Sequence, residues 1–128
     1  MANGKIKADQ IEHSTAGSLD TQYVVNGSAK AWVKFDGTGT LAVKSSFNVS
    51  GVTDDGTGIN TISFTNSMSG ANDYTVASID YRDSSSGGNR SIQGTYSMLA
   101  GSYAVSNVYD ASVFDDGRLM MQINGDLA

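Results

Sequence analysis

The sequence predicts an all-β fold, specifically an antiparallel β-sandwich of jelly-roll type. Helix-favouring residues are scarce, with a single glutamate at Glu12, whereas Val, Thr, Tyr, Ser and Gly are abundant. Short segments of alternating apolar and polar residues recur roughly every 10–15 residues, with Asp and Gly at the turns between them. The 128 residues, 39% of them hydrophobic, are enough for one modest domain with a single core.

The first strands can be placed from this alternation. Ala31, Val33 and Phe35 share one face of the first clear strand, and Asp36 opens the turn that follows. Leu41 and Val43 lead towards the next apolar run. Residues 47–52 and 59–65 are predicted to form an antiparallel hairpin, because Asp-Gly between two β-type runs favours a type I′ turn with positive φ at both central residues.

The second half of the chain continues the pattern. In residues 73–81, Tyr74 and Val76 face one way and Ile79 and Tyr81 the other, which indicates a bulge or a strand covered on both faces. Residues 82–90 are predicted to form a polar, flexible loop. Later strands are predicted at 92–98, 103–109 and 118–124, the last with Leu119, Met121 and Ile123 on one side.

The first residues differ in character from the rest. Residues 5–20 are rich in charge and contain too few apolar residues for an independent core. We therefore divide the chain into a stalk or lead-in segment, residues 1–28, and a β-sandwich domain, residues 29–128.

Composition excludes several classes of function. The chain has no cysteine and no proline, which removes disulfide scaffolds, thiolate metal sites and polyproline ligands. A net charge of −5 with eight scattered basic residues argues against nucleic-acid binding. No run of apolar residues is long enough for membrane insertion.

Neither a metal nor a cofactor is expected. The acidic pairs Asp54-Asp55 and Asp115-Asp116 lack the ligand spacing of a calcium loop and are better explained as turn residues. His13 is the sole histidine. Three copies of His13 on the axis of a trimer could hold an ion, but a solvated stalk residue is the simpler interpretation.

A resemblance emerges from residues 24–40 and 47–58. The run from Lys30 onwards fits the pattern Lys-Ala-Trp-Val-x-Phe-(Asn/Asp)-Gly-Thr-Gly-Thr, and residues 47–58 fit Phe/Tyr-Asn-Val-Ser-x-(Val/Ile)-Thr-Asp-(Asn/Asp)-Gly-Thr-Gly. These segments resemble the C-terminal tail-fibre domains of tailed bacteriophages of aquatic hosts, including cyanobacteria. The resemblance implies a homotrimeric fibre tip at the distal end of the virion, joined to an upstream fibre shaft, which attaches the particle to a host-surface receptor.

Trp32 is the first candidate residue, because alternation places it with Lys30 and Lys34 on the face opposite Phe35. One interpretation is a platform on which a sugar stacks. The other is a residue buried between subunits, which the position of Trp32 near the shaft end favours. We assign Trp32 to the trimer interface.

The polar loop is the predicted receptor-binding site. Arg82 and Arg90 bracket it, and guanidinium groups bind carboxylates, phosphates and sulfates. The expected ligand is a bacterial cell-surface glycan, and the alternative is a solvated loop with no binding role. The candidate contact residues are Tyr81, Arg82, Asp83, Asn89, Arg90 and Tyr109.

Catalysis is not expected. A polysaccharide depolymerase needs two carboxylates at a defined separation, whereas most of the acidic residues here lie in turns or beside loops. We predict multivalent, non-catalytic attachment. The alternatives are a purely structural trimerisation or cap module of the fibre, a depolymerase, and a secreted lectin-like domain.

Overall fold

The structure is a computed structural model that describes residues 4, 6–80, 90–109, 112–113 and 119–128. Side-chain surroundings are described for all of these except 80, 90–96, 108–109 and 112–113. The described chain is mostly β-strand with one short helix, which confirms the all-β prediction. In chain order the elements are β1 Gln10–His13, β2 Gly17–Asp20, α1 Thr21–Gly27, β3 Ala29–Asp36, β4 Ala42–Phe47, β5 Val49–Gly56, β6 Ile59–Phe64, β7 Tyr74–Asp80, β8 Arg90–Leu99, β9 Ser102–Tyr109, β10 Ser112–Val113 and β11 Leu119–Gly125.

The strands after α1 form two antiparallel sheets. The four-stranded sheet has the order β4-β3-β11-β7. In the five-stranded sheet β9 pairs with β8 on one side and with β6 and β10 on the other, and β5 pairs with β6 at the edge. The pairing of β5 with β6 confirms the predicted hairpin.

The core lies between the two sheets. One buried cluster contains Ala31, Val33 and Phe35 from the four-stranded sheet and residues such as Ile62 and Val105 from the five-stranded sheet. Leu119, Met121 and Ile123 join it, so the inward faces predicted for β3 and β11 are both confirmed. Alternation works here because successive strand residues point to opposite faces.

Asn48 forms the corner at which the chain leaves one sheet for the other. Its φ of 53° is left-handed, and it lies between the end of β4 and the start of β5. Its side-chain amide donates to the carbonyls of Lys30 (3.0 Å) and Asn66 (3.1 Å), while its Oδ1 accepts from the backbone (2.8 Å) and side-chain (3.0 Å) N–H groups of Asn66. Asn48 therefore fastens the two sheets together at this corner.

One local prediction is wrong, and one of the two alternatives predicted for another strand is excluded. The hairpin turn lies at Thr57 and Gly58, and positive φ is found at Gly56 and Gly58 but not at Asp55. Strand β7 pairs with β11 from Tyr74 to Asp80 without any register shift, which excludes the bulge and leaves the other alternative, a strand covered on both faces. The apparent change of phase arises because Ile79 is an apolar residue on the outward face.

The N-terminal segment forms small elements of its own. Strands β1 and β2 pair only with each other among the described residues, and α1 buries no residue. Two side chains attach the end of α1 to the four-stranded sheet: Asn124 donates to the Gly27 carbonyl (2.9 Å) and the Lys30 ammonium donates to the Val25 carbonyl. Since α1 has seven residues, no helix in the described part of the chain could cross a membrane.

Candidate functional site

The predicted receptor-binding loop falls largely outside the described residues. Tyr81, Arg82, Asp83 and Asn89 are not described, whereas the backbones of Arg90 and Tyr109 lie directly opposite each other in the pairing of β8 with β9. Strands β7 and β8, before and after the loop, belong to different sheets, so these two strands do not form a hairpin. The structure thus brings together two of the six predicted contact residues, and the binding role of all six remains a prediction.

Trp32 lies on the outward face of β3, as alternation predicts. Its side chain is 39% exposed, while its neighbours Ala31 and Val33 are buried. The exposed ring is open to a neighbouring subunit or to a sugar, so both roles of Trp32 stay predictions.

The strand register places the neighbours of Trp32 in two rows across the outward face. In the first row Phe47, Trp32, Gln122 and Ala77 lie side by side on β4, β3, β11 and β7. In the second row the order is Ser45, Lys34, Met120 and Ile79. Cross-strand neighbours in such rows have Cβ atoms about 5 Å apart, so these side chains can act on one ligand together.

A groove runs across these two rows, and we call it the outer-face groove. Its volume is about 410 Å³, and its outward-facing lining consists of Trp32, Lys34, Ser45, Ala77, Ile79, Met120 and Gln122. Ala77 has a small side chain, which leaves room for the groove. Ile79, which is 61% exposed, lies beside the groove. Beside it Phe47 is 54% exposed, so two exposed aromatic residues are cross-strand neighbours on this face.

Gln122 is held in place by a chain of amides. Its Nε2 donates to Oδ1 of Asn124 (3.0 Å), and Nδ2 of Asn124 donates to the Gly27 carbonyl (2.9 Å). Because these bonds occupy one N–H of the Gln122 amide, its carbonyl oxygen and second N–H are left for a ligand. The groove therefore contains a polar group whose direction is set before anything binds.

Lys34 supplies the charge in the groove. The ion pair found among the described residues joins Lys44 to Asp36 (4.0 Å), and no described carboxylate pairs with Lys34. The described lining of the groove contains no acidic side chain. The described lining of the groove can thus bind an anionic group.

The other candidate residues have structural partners. Asp54 accepts from the backbone N–H of Gly56 (3.0 Å) and Asp55 from the hydroxyl of Thr61 (2.5 Å), in keeping with a turn role, whereas Asp115 and Asp116 lie outside the described residues. His13 Nδ1 accepts from the backbone N–H groups of Thr15 and Ala16 (both 3.2 Å). Within the described ranges, no group of three potential metal ligands occurs.

Tyr74 lies on the opposite side of the four-stranded sheet, facing the core. Its hydroxyl donates to the carbonyls of Leu99 and Ser102 (both 3.1 Å), and its ring meets Phe64 edge to face. Burial raises the pKa of the Tyr74 hydroxyl. Tyr74 is a structural residue with no access to the groove.

Several residues in the groove or beside it were not predicted from the sequence. Phe47, Met120 and Gln122 come together only through strand register, which pairs β3 with β4 and with the distant β11. Ile79 did leave a signal, since it breaks the inward pattern of its strand. With no bulge to account for it, an apolar residue out of phase indicates that the outward face of the strand is partly apolar.

A second exposed apolar group lies in the N-terminal segment. Ile11 and Leu19 are paired across β1 and β2, and both are exposed. Ile6, Tyr23, Val24 and Val25 are exposed as well. These side chains have no core of their own, so the segment is suited to packing against another chain.

Comparisons of the chain with protein-family models, with curated proteins and with solved structures found no match.

Proposed function

We propose that the protein is the distal tip of a bacteriophage tail fibre, with a jelly-roll-like domain that attaches the virion to a glycan on the host-cell surface without catalysis. The observation that carries the proposal is the outer-face groove, where the exposed Trp32 adjoins an oriented amide and an ammonium group with no acidic partner among the described residues. Proteins use such a combination of aromatic surface and a few placed polar groups to bind small ligands. The resemblance of residues 24–40 and 47–58 to tail-fibre domains supplies the biological setting.

The proposed assembly is a homotrimer joined through the N-terminal segment. An isolated two-stranded hairpin is at best marginally stable in water, and so is a helix as short as α1. Packing Ile11, Leu19 and Val25 against their copies in two other chains would bury the exposed apolar group and cover strand edges. This arrangement leaves the outer-face groove free, and Trp32 as a subunit contact is the competing assignment.

Attachment by such a tip would be multivalent. Three copies per tip, and several fibres per particle, would raise the effective concentration of each further contact. Weak binding at one groove would then be sufficient for stable adsorption by the whole particle. Equal affinity of isolated and arrayed tips would contradict this part of the proposal.

The proposal is tested by competition. Purified protein is added to the phage that encodes it and to the host of that phage, and infection is scored. We expect fewer infected cells as the protein concentration rises, because the tips occupy the receptor. A protein that forms trimers but neither binds host cells nor reduces infection would instead be a structural module of the fibre.

A further inference from the structure

We propose that the outer-face groove binds an acidic pyranose, a sugar ring that carries a carboxylate, as the recognised unit of the receptor glycan. This inference rests on the proposed function but concerns the ligand of the groove and has its own test. It is argued from the three kinds of group that meet in the groove: an aromatic ring, a cation and an oriented amide.

The aromatic component is Trp32, with Phe47 directly beside it on β4. The faces of pyranose rings present C–H groups that pack against the negative face of an aromatic ring. The groove has a volume of about 410 Å³, which is within the usual range for small-ligand sites, roughly 300–1,000 Å³. A sugar ring stacked on Trp32 would lie between the two rows of outward-facing side chains.

The cationic component is Lys34, two residues from Trp32 on the same face of β3. This spacing separates their Cα atoms by about 7 Å, so the ammonium at the end of the long lysine side chain can reach a substituent of a sugar ring stacked on Trp32. Lys34 has no acidic partner among the described residues. A carboxylate on the ligand would supply the missing counter-charge.

The amide component fixes the orientation of the ring. Gln122 lies directly across from Trp32 on β11, and Asn124 holds its Nε2. Its free carbonyl oxygen can accept from one sugar hydroxyl, while its second N–H can donate to another. Ser45, opposite Lys34 on β4, adds a hydroxyl on the other side.

These polar groups favour a sugar over a second copy of this chain. Interface centres are depleted in charged residues, and burial of an unpaired Lys34 in an interface would be costly. A sugar acid satisfies Lys34, uses the oriented Gln122 and leaves the lysine partly hydrated. The apolar group of the N-terminal segment, where Ile11 and Leu19 are paired and both exposed, is the better surface for a second copy.

The test uses the fluorescence of Trp32, which is the only tryptophan of the chain and so reports on the groove directly. The full chain is titrated with the methyl glycosides of glucuronic and galacturonic acid and with those of their neutral parents, glucose and galactose. We expect a saturable change in emission with an acidic member, and binding about tenfold weaker for its neutral parent, since a charge-assisted bond is lost. Added salt should weaken the binding of the acidic sugar more than that of the neutral one.

Three variants test which side chains cause the difference in affinity between acidic and neutral sugars. Lys34→Met keeps the length of the side chain but removes the charge, and should reduce the affinity for the acidic sugar to that for the neutral one. Lys44→Met is the matched control, because Lys44 does not line the groove, and should bind like the wild type. Gln122→Leu should weaken both sugars, and thermal unfolding of each variant shows that the fold is retained.

The possible results are distinct. No change in emission with either acidic glycoside, or equal losses in Lys34→Met and Lys44→Met, would overturn the inference. A Trp32 emission that changes on dilution together with the sedimentation coefficient, but not with sugar, would overturn it in favour of a subunit contact. If the protein binds the sugar but does not compete with the phage for host cells, the inference stands and the attachment function is refuted. If Lys34→Met competes as strongly as the wild type, the attachment function stands and the inference is refuted.

Discussion

The two faces of the four-stranded sheet are built from the same strands but differ in what they bury. On the inner face Ala31, Phe35, Leu119 and Ile123 are fully buried. On the outer face the side chains in the same strands include Trp32 and Met120, and they remain partly open to solvent. An antiparallel sheet with one solvated face normally alternates apolar and polar residues. The outer face departs from this rule, and because its apolar residues are largely exposed, we expect them to stabilise the single chain less than the inner face does.

The difference between the two faces is tested most directly by replacing one phenylalanine on each face. Phe35→Ala should lower the free energy of unfolding by about 3–5 kcal/mol, because it leaves a cavity in the core. Phe47→Ala, on the outer face, should change it by less than about 1 kcal/mol, since more than half of that side chain is already exposed. Chemical denaturation of both variants measures the difference.

Similar losses in the two variants would mean that the outer face also stabilises the fold of the single chain. If Phe35→Ala does not fold, Phe35→Leu gives a milder version of the same test, with an expected loss of about 1 kcal/mol. The inner face then still shows the larger effect.

A second test concerns the corner that brings the two inner faces together. Asn48→Gly keeps the left-handed backbone but removes the four side-chain hydrogen bonds to Lys30 and Asn66, at an expected cost of about 1–3 kcal/mol. Asn48→Ala should cost about 1 kcal/mol more, because alanine is strained at a φ of 53°. Denaturation curves that coincide for the two variants would show that the backbone conformation at this corner carries no strain.

The smallest effect is expected at the polar edge of the inner face. Tyr74→Phe removes hydrogen bonds to Leu99 and Ser102 and should cost about 1–2 kcal/mol at neutral pH. Because burial raises the pKa of Tyr74, the folded chain keeps this proton to a higher pH than the unfolded chain does. The contribution of Tyr74 is therefore fully present below about pH 10 and is lost as the pH rises through the raised pKa.

Denaturation of the wild type and of Tyr74→Phe is compared at neutral pH and above pH 10. The gap between the two proteins should narrow at the higher pH. Tyr23→Phe is the control, since Tyr23 is exposed on α1, and it should follow the wild type throughout. A gap that stays constant with pH would contradict the role given to burial.

The inner face was predictable from the sequence because burial repeats every second residue in a strand. Ala31, Val33 and Phe35 could be assigned from that period alone, and so could Leu119, Met121 and Ile123. The hairpin of β5 and β6 was also predictable from its local turn residues, although the turn lies two residues further along, at Thr57 and Gly58.

The outer-face groove was not predictable beyond Trp32 and Lys34. Its rows depend on long-range register, with β11 inserted between β3 and β7, and alternation within one strand carries no information about its neighbours. The corner at Asn48 could not be predicted either, because a single polar residue between two apolar runs also fits a continuous strand. The prediction of a bulge near Ile79 failed for a related reason, since it treated an outward apolar residue as a defect of the strand.

The attachment of the N-terminal segment has a mechanical consequence. The segment continues into β3, which lies inside the four-stranded sheet with β4 on one side and β11 on the other. Tension applied from the N-terminus along β3 would load both ladders of backbone hydrogen bonds in shear, so that many bonds must break at once. A chain pulled in this way resists extension more strongly than one whose edge strand is peeled off bond by bond. The strand that carries Trp32 is thus also the one through which a tether would transmit force.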